Sequence, residues 1–401
     1  MRVVFLLIFM IVLFCMCQLS YSQNNIVTKL PCTDVMAQES KGRWIKIADV
    51  GSYNTKETSS RNDQIHDMVL KMYPQATGVD AAWHRAAGVS YFGAKRKYKT
   101  TNDGGLTFDY LNLPHFTYYY YNVGLFRYWC EYGKTNSLMP GYPSETGTWL
   151  NIIANDKLGD LASDDSWTIN DLPVLMRKPP KTIKEGIEFS YPEEGMTVYH
   201  VLIHRKGMLP YIPVSRKQYL DYCIIYHTKL HNEIIKTLEQ MPVRSLEEQE
   251  KEKKEKLDKF QKQFGNDPKK LKSNVDYYLS GYQTDQQRRD EQVVKAKKNK
   301  DDELKKFTDE MEKTTREGLL DSPAMVLVKY YSSPYVFETD PAKGLLLVTE
   351  NPVYIRRDLP KYVPQFFLVS LTWDDWAPQK KFADIFRQDF PFEKLQAMID
   401  K

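Results

Sequence analysis

The sequence predicts an α+β fold: an antiparallel-rich β-sheet body packed by amphipathic helices, with an inserted charged helical hairpin or arm. Three observations carry this expectation. Runs of β-branched and aromatic residues occur before residue 215 and return after 322, so the sheet takes strands from both sides of a region poor in them. Apolar residues recur at helical spacing over 62–87, 216–240 and 379–399. Between about 245 and 318 the chain is dominated by Lys, Glu, Asp and Gln, with acid-first i,i+4 pairs such as Glu247/Lys251 and Glu255/Lys259.

Arg2 followed by the apolar run Val3 to Cys17 and then Gln18-Leu-Ser-Tyr-Ser-Gln23 has the layout of a secretory signal peptide over 1–22. The apolar run is shorter than the roughly 20 residues a bilayer-spanning helix needs. Phe14 before Cys15 and Met16 before Cys17 argue against a lipid-anchored cysteine. The expected product is exported, periplasmic or extracellular, with no stable membrane span after cleavage.

An N-terminal α+β region is expected over 23–214. Gly42-Arg-Trp-Ile-Lys-Ile47 suits a first strand, and Ile65, Met68, Val69 and Met72 form one stripe of a helix that Pro74 ends. Val79 to Ala87 (VDAAWHRAA) reads as a second helical piece stopping at Gly88. Asn102-Asp-Gly-Gly105 signals a tight turn. Phe116 to Tyr132 reads as one long strand apolar on both faces, followed by strands at Thr148 to Ala154, Ile187 to Ser190 and Thr197 to His204. Arg205-Lys-Gly207 is read as the turn of a hairpin into Leu209 to Val214.

Ser215 with Gln218 forms a capping box that opens an amphipathic helix over 215–243. Ser245 with Glu248 opens the charged arm over 244–320, interrupted at Gly265-Asn-Asp-Pro268. Leu304, Phe307 and Met311 give it a narrow coiled-coil-like seam whose register also meets Lys297 and Lys300. A C-terminal β-rich region over 321–401 completes the body. It has buried strands at Ala324 to Tyr331, Gly344 to Thr349 and Gln365 to Trp373, and a closing helix, Gln379 to Ile399, broken at Pro391.

The balance of 56 basic against 52 acidic residues leaves a net charge of only +4, which gives no electrostatic footprint for nucleic acid. The 27 Tyr, 18 Phe and 7 Trp are read as β-core aromatics, with a sugar- or peptide-binding face as the alternative. Past the leader remain Cys32, Cys130 and Cys223: one disulfide and one free thiol at most, and no C-x-x-C.

His227 and His231 are the sharpest chemical pair, because i and i+4 imidazoles on a helix can share one metal ion. Cys223 stands one turn earlier, and His200 and His204 on one strand face are further candidate ligands. Thr228 stands where a zinc protease would carry Glu. Gly141-Tyr-Pro-Ser144-Glu-Thr-Gly147 lacks the spacing of a nucleophile elbow. Asp156, Asp160, Asp164 and Asp165 lack that of a calcium loop, and Trp373-Asp-Asp-Trp376 suits a sugar site and a plain strand exit equally. There is no phosphate-binding glycine loop, and no cofactor is expected; a divalent metal ion belongs to the alternative reading of the histidines.

A short leader followed by a Gln-headed, Tyr- and Lys-rich chain is similar in composition to envelope proteins of Gram-negative bacteria, a likeness that transfers no residue. The expected function is a non-catalytic binding protein of the cell envelope, its partner an envelope protein, peptide or glycan. The alternative is a metal-dependent hydrolase or metal-binding protein built on the His-x3-His helix.

Overall fold

The computed structural model describes residues 33–51, 54–90, 92, 95–100, 106–111, 116–131, 137–140, 147–156, 158, 168–169, 172–190, 198–327 and 336–401. The expected signal peptide, Cys32, the 102–105 turn, Ser144 and Asp160, Asp164 and Asp165 lie outside them. The elements run α1 (Asp34–Glu39), β1 (Trp44–Lys46), α2 (Lys56–Met72), β2 (Val79–Ser90), β3 (Lys95–Thr100), β4 (Leu106–Leu111), β5 (Phe116–Glu131), β6 (Ser137–Pro140) and β7 (Trp149–Ala154). Next come β8 (Thr168–Ile169), β9 (Leu172–Arg177), β10 (Pro180–Lys184), β11 (Ile187–Ser190), β12 (Val198–Ile203) and β13 (Tyr211–Pro213). Four helices follow: α3 (Arg216–Glu239), α4 (Leu246–Phe264), α5 (Pro268–Gly281) and α6 (Asp285–Arg316). The chain closes with β14 (Met325–Leu327), β15 (Val336–Phe337), β16 (Leu345–Glu350), β17 (Phe367–Thr372), α7 (Ala377–Asp389) and α8 (Phe392–Gln396). This is an α+β fold.

Two compact units share the chain. The first comprises 1–214 and 324–401, the second 215–323. In the first, a nine-stranded sheet has the order β1-β2-β5-β7-β17-β12-β11-β10, with β6 also paired to β5. Among the described strand pairs of this sheet, only β1 and β2 run parallel. Because side chains alternate along a strand, β5 sends Tyr119, Tyr121, Val123 and Leu125 to one face, where Leu150, Ile152, Val369 and Leu371 join them. Helix α2 covers that face with Ile65 and Val69, and the C-terminal helices cover it with Phe382, Phe386 and Leu395. On the opposite face, Phe116, Leu202 and Phe366 meet Leu175, Tyr211 and Val348 of a second sheet. That sheet has the order β15-β14-β16-β9-β8, with β13 also paired to β16.

Two expectations are corrected here. Residues 79–87 are not helix but part of β2, which pairs residue for residue with β5 from Val79↔Arg127 to Ser90↔Phe116. Alanine favours a helix in isolation, but small side chains on both faces of β2 leave room for the aromatic rings of β5. A Cβ on Gly88, for instance, would come within 2.5 Å of the Tyr118 ring. Nor do the strands around Arg205-Lys-Gly207 form a hairpin. The turn is real, with Gly207 at φ +74°, but β13 crosses to pair with β16, while β12 is already flanked by β11 and β17.

The second unit is helical. Capping boxes at Ser215/Gln218, Ser245/Glu248 and Thr284/Gln287 start α3, α4 and α6, and Pro268 opens α5. Glu239 meets Lys297, Asn232 meets Lys300 and His231 meets Glu303, so α3 and α6 run antiparallel. The helix expected over 216–240 is α3, which pairs with α6 inside the second unit. Ile235, Val293 and Ala296 form its small core, and the lysines of the imperfect seam serve as interhelix donors. Phe260 against Tyr278 closes α4 on α5. Gln249, buried, accepts from the Asp285 N–H and donates to the Arg244 carbonyl where α4 meets the start of α6. Among the described residues no helix is long and apolar enough to cross a membrane.

Candidate metal centre

His227 and His231 face α6 from adjacent turns of α3, and Glu303 rises between them. The His227 Nδ1 lies 3.2 Å from Glu303 Oε1, and the His231 Nε2 2.5 Å from Oε2. The imidazole centroids are 6.5 Å apart, and Phe307 lies 5.0 Å from the His227 ring. His227 is buried, while His231 and Glu303 are partly so. Burial pushes the His227 pKa below its ordinary value, against the pull of the Glu303 carboxylate, which favours the neutral ring that can offer a lone pair.

One donor atom from each of these three side chains lies within 4.8 Å of the others. In a tetrahedral zinc site with bonds near 2.0–2.2 Å, donors sit about 3.3–3.6 Å apart. Side-chain adjustments on the order of 1 Å therefore bring this set onto one ion. Two imidazoles and a carboxylate are a borderline-hard set that suits zinc and its divalent neighbours.

The other sequence candidates go elsewhere. Cys223 is buried and free. Burial pushes its thiol up to about 12, so it is protonated and not the thiolate a metal needs. His204, in the first unit, places Nδ1 at 2.8 and 2.9 Å from the carbonyls of Arg205 and Met208 and turns Nε2 toward Glu188, 3.5 Å away. His200 stands beside Ser370 on the large sheet. The metal-capable group among the described residues contains neither His200 nor His204. Asp374 clips a strand end, accepting from the Gly147 N–H at 2.9 Å, and Asp375 pairs with Lys380. Cys130 is disulfide-bonded.

Glu303 is the residue that sequence reasoning missed. It stands one turn before Phe307, on the seam side of its helix, and that spacing was the available signal. Compared with protein-family models, curated proteins and solved structures, the chain matches none.

Proposed function

We propose that this chain is an exported, non-catalytic binding protein whose helical unit holds a divalent transition-metal ion between His227, His231 and Glu303. The carrying observation is the convergence of two imidazoles and one carboxylate, from two helices, within 4.8 Å. The signal-like start, Arg2 and the apolar run Val3 to Cys17, supports export. The coiled-coil-like pair α3/α6, with its charged outer faces, supports a contact surface for an envelope partner. Both carboxylate oxygens of Glu303 face histidines, so among the described members of this group no carboxylate is left as a general base.

Isothermal titration of metal-stripped protein with zinc tests the reading. One equivalent is expected to bind, with a rise in melting temperature, since a ligand that binds only the folded state stabilises it. The double variant His227→Ala/His231→Ala loses both effects. Equal zinc affinity in wild type and variant, or none in either, rejects the site.

A hydrolase is the second reading, because three protein donors leave coordination positions open for water. Zinc-dependent ester or peptide hydrolysis that disappears in the same variant would favour it.

A further inference from the structure

The opposite face of the large sheet carries a feature that only the register reveals. His84 pairs with Asn122, Asn122 with Asn151, Asn151 with Ser370, and Ser370 with His200. Directly paired residues point to the same face, so these five polar side chains form one straight row across β2, β5, β7, β17 and β12. At about 4.8 Å per strand the row spans about 19 Å.

The row is partly wired together. The Asn122 amide donates to Asn151 Oδ1 at 2.5 Å, and the Asn151 amide to Ser370 Oγ at 3.4 Å. Asn122 is only 7 % exposed, yet its Oδ1 accepts no bond, and the Nδ1 of His84 is likewise unpartnered. A buried amide oxygen without a donor is costly, and a hydroxyl of a ligand or an ordered water would satisfy it. Asn151, Ser370 and His200 are half-buried, so these three side chains are within reach of a ligand.

Aromatic rings flank it. On one side Trp149 lies over Gly124, where a Cβ would come within 2.6 Å of the indole ring. On the other, Tyr118 and Tyr120 stack at 6.4 Å, and Tyr120 stands edge-on to His84 at 5.8 Å. Amide and hydroxyl groups each donate and accept, which matches sugar hydroxyls. The indole face suits the apolar C–H face of a sugar ring. No Asp, Glu, Lys or Arg stands in the row, so nothing in it offers a counter-charge to an ionic ligand.

We propose that this row, flanked by Trp149 and Tyr120, binds a neutral oligosaccharide. The length of the row favours a chain of several sugar rings over a single one. The site lies in the sheet unit and uses none of the residues of the candidate metal centre, so either can fail without the other.

The test is calorimetry with intrinsic tryptophan fluorescence on the full chain, using neutral hexamers of β-1,4-glucose, α-1,4-glucose, N-acetylglucosamine, xylose and mannose, with hexagalacturonate as the charged comparator. At least one neutral hexamer is expected to bind saturably, with Kd of about 1 mM or tighter. Trp149→Ala weakens it by about tenfold or more, and Ser370→Ala, a change small enough to leave the sheet intact, by about three- to tenfold. No saturable binding by any neutral hexamer, equal or tighter binding of hexagalacturonate, or undiminished affinity in Ser370→Ala would overturn the proposal. Should Trp149→Ala fail to fold, Ser370→Ala decides alone.

Discussion

At the residue scale, the buried carboxylate of Glu188 decides how the two sheets are joined. Its Oε2 lies 2.9 Å from Arg177 Nη2, and the Tyr211 hydroxyl donates to it at 3.0–3.1 Å. The Arg177 guanidinium also lies over the Tyr211 ring at 4.4 Å. Burial pushes the Glu188 carboxyl up. The His204 imidazole, the Arg177 charge and the Tyr211 hydroxyl outweigh it and hold the pKa below the ordinary 4.5. Replacing Glu188 by Gln leaves the Arg177 charge buried and uncompensated, a loss on the order of 3–5 kcal/mol at neutral pH. The sign with pH follows from the lowered folded value. The contribution is fully present above the unfolded pKa and is lost as pH falls through the folded one. Urea unfolding of wild type and Glu188→Gln should therefore differ strongly at pH 7 and converge in acid; a gap that stays constant contradicts this assignment. Such pairings are hard to see in sequence, because Arg177, Glu188, His204 and Tyr211 meet only once β9, β11, β12 and β13 have been assigned to sheets. The His227/His231 pair was visible because a helix fixes i,i+4 neighbours locally, whereas Glu303 and the row from His84 to His200 depend on long-range register.

At the element scale, helices with a cap and a stripe were readable and small-residue segments were not. Ser215/Gln218, Ser245/Glu248 and Pro391 mark real boundaries because capping and ring closure are local chemistry. VDAAWHRAA misled because its periodicity is weak and its partner strand supplies the aromatic bulk, so tertiary pairing overrides propensity. The seam of α3 and α6 offers a test at this scale. Phe307 is 2 % exposed and packs on His227. Phe307→Ala is expected to cost that unit about 3–5 kcal/mol. Hydrogen exchange followed by mass spectrometry should show faster exchange across both Arg216–Glu239 and Asp285–Arg316. Protection unchanged in either helix would show that the pair does not depend on this ring.

At the scale of the whole molecule, the point where the second unit leaves the first sets the strongest constraint. The Ala324 N–H donates to the Val214 carbonyl at 2.7 Å, and Ser215 and Pro323 form an isolated antiparallel bridge just beyond. The first unit thus already brings the two cut ends together, and a short turn can replace everything between them. The entropy cost of closing a loop falls as the loop shortens, so a short turn between these ends costs the sheet unit no stability through chain closure. A chain in which residues 216–322 are replaced by two glycines is expected to keep the β-sheet circular-dichroism signature and a single cooperative melt. It should also retain the oligosaccharide affinity of the full chain while losing the zinc equivalent. Loss of the cooperative melt would show that the helical unit is needed to fold the sheet. Retention of zinc binding would move the metal centre out of α3 and α6.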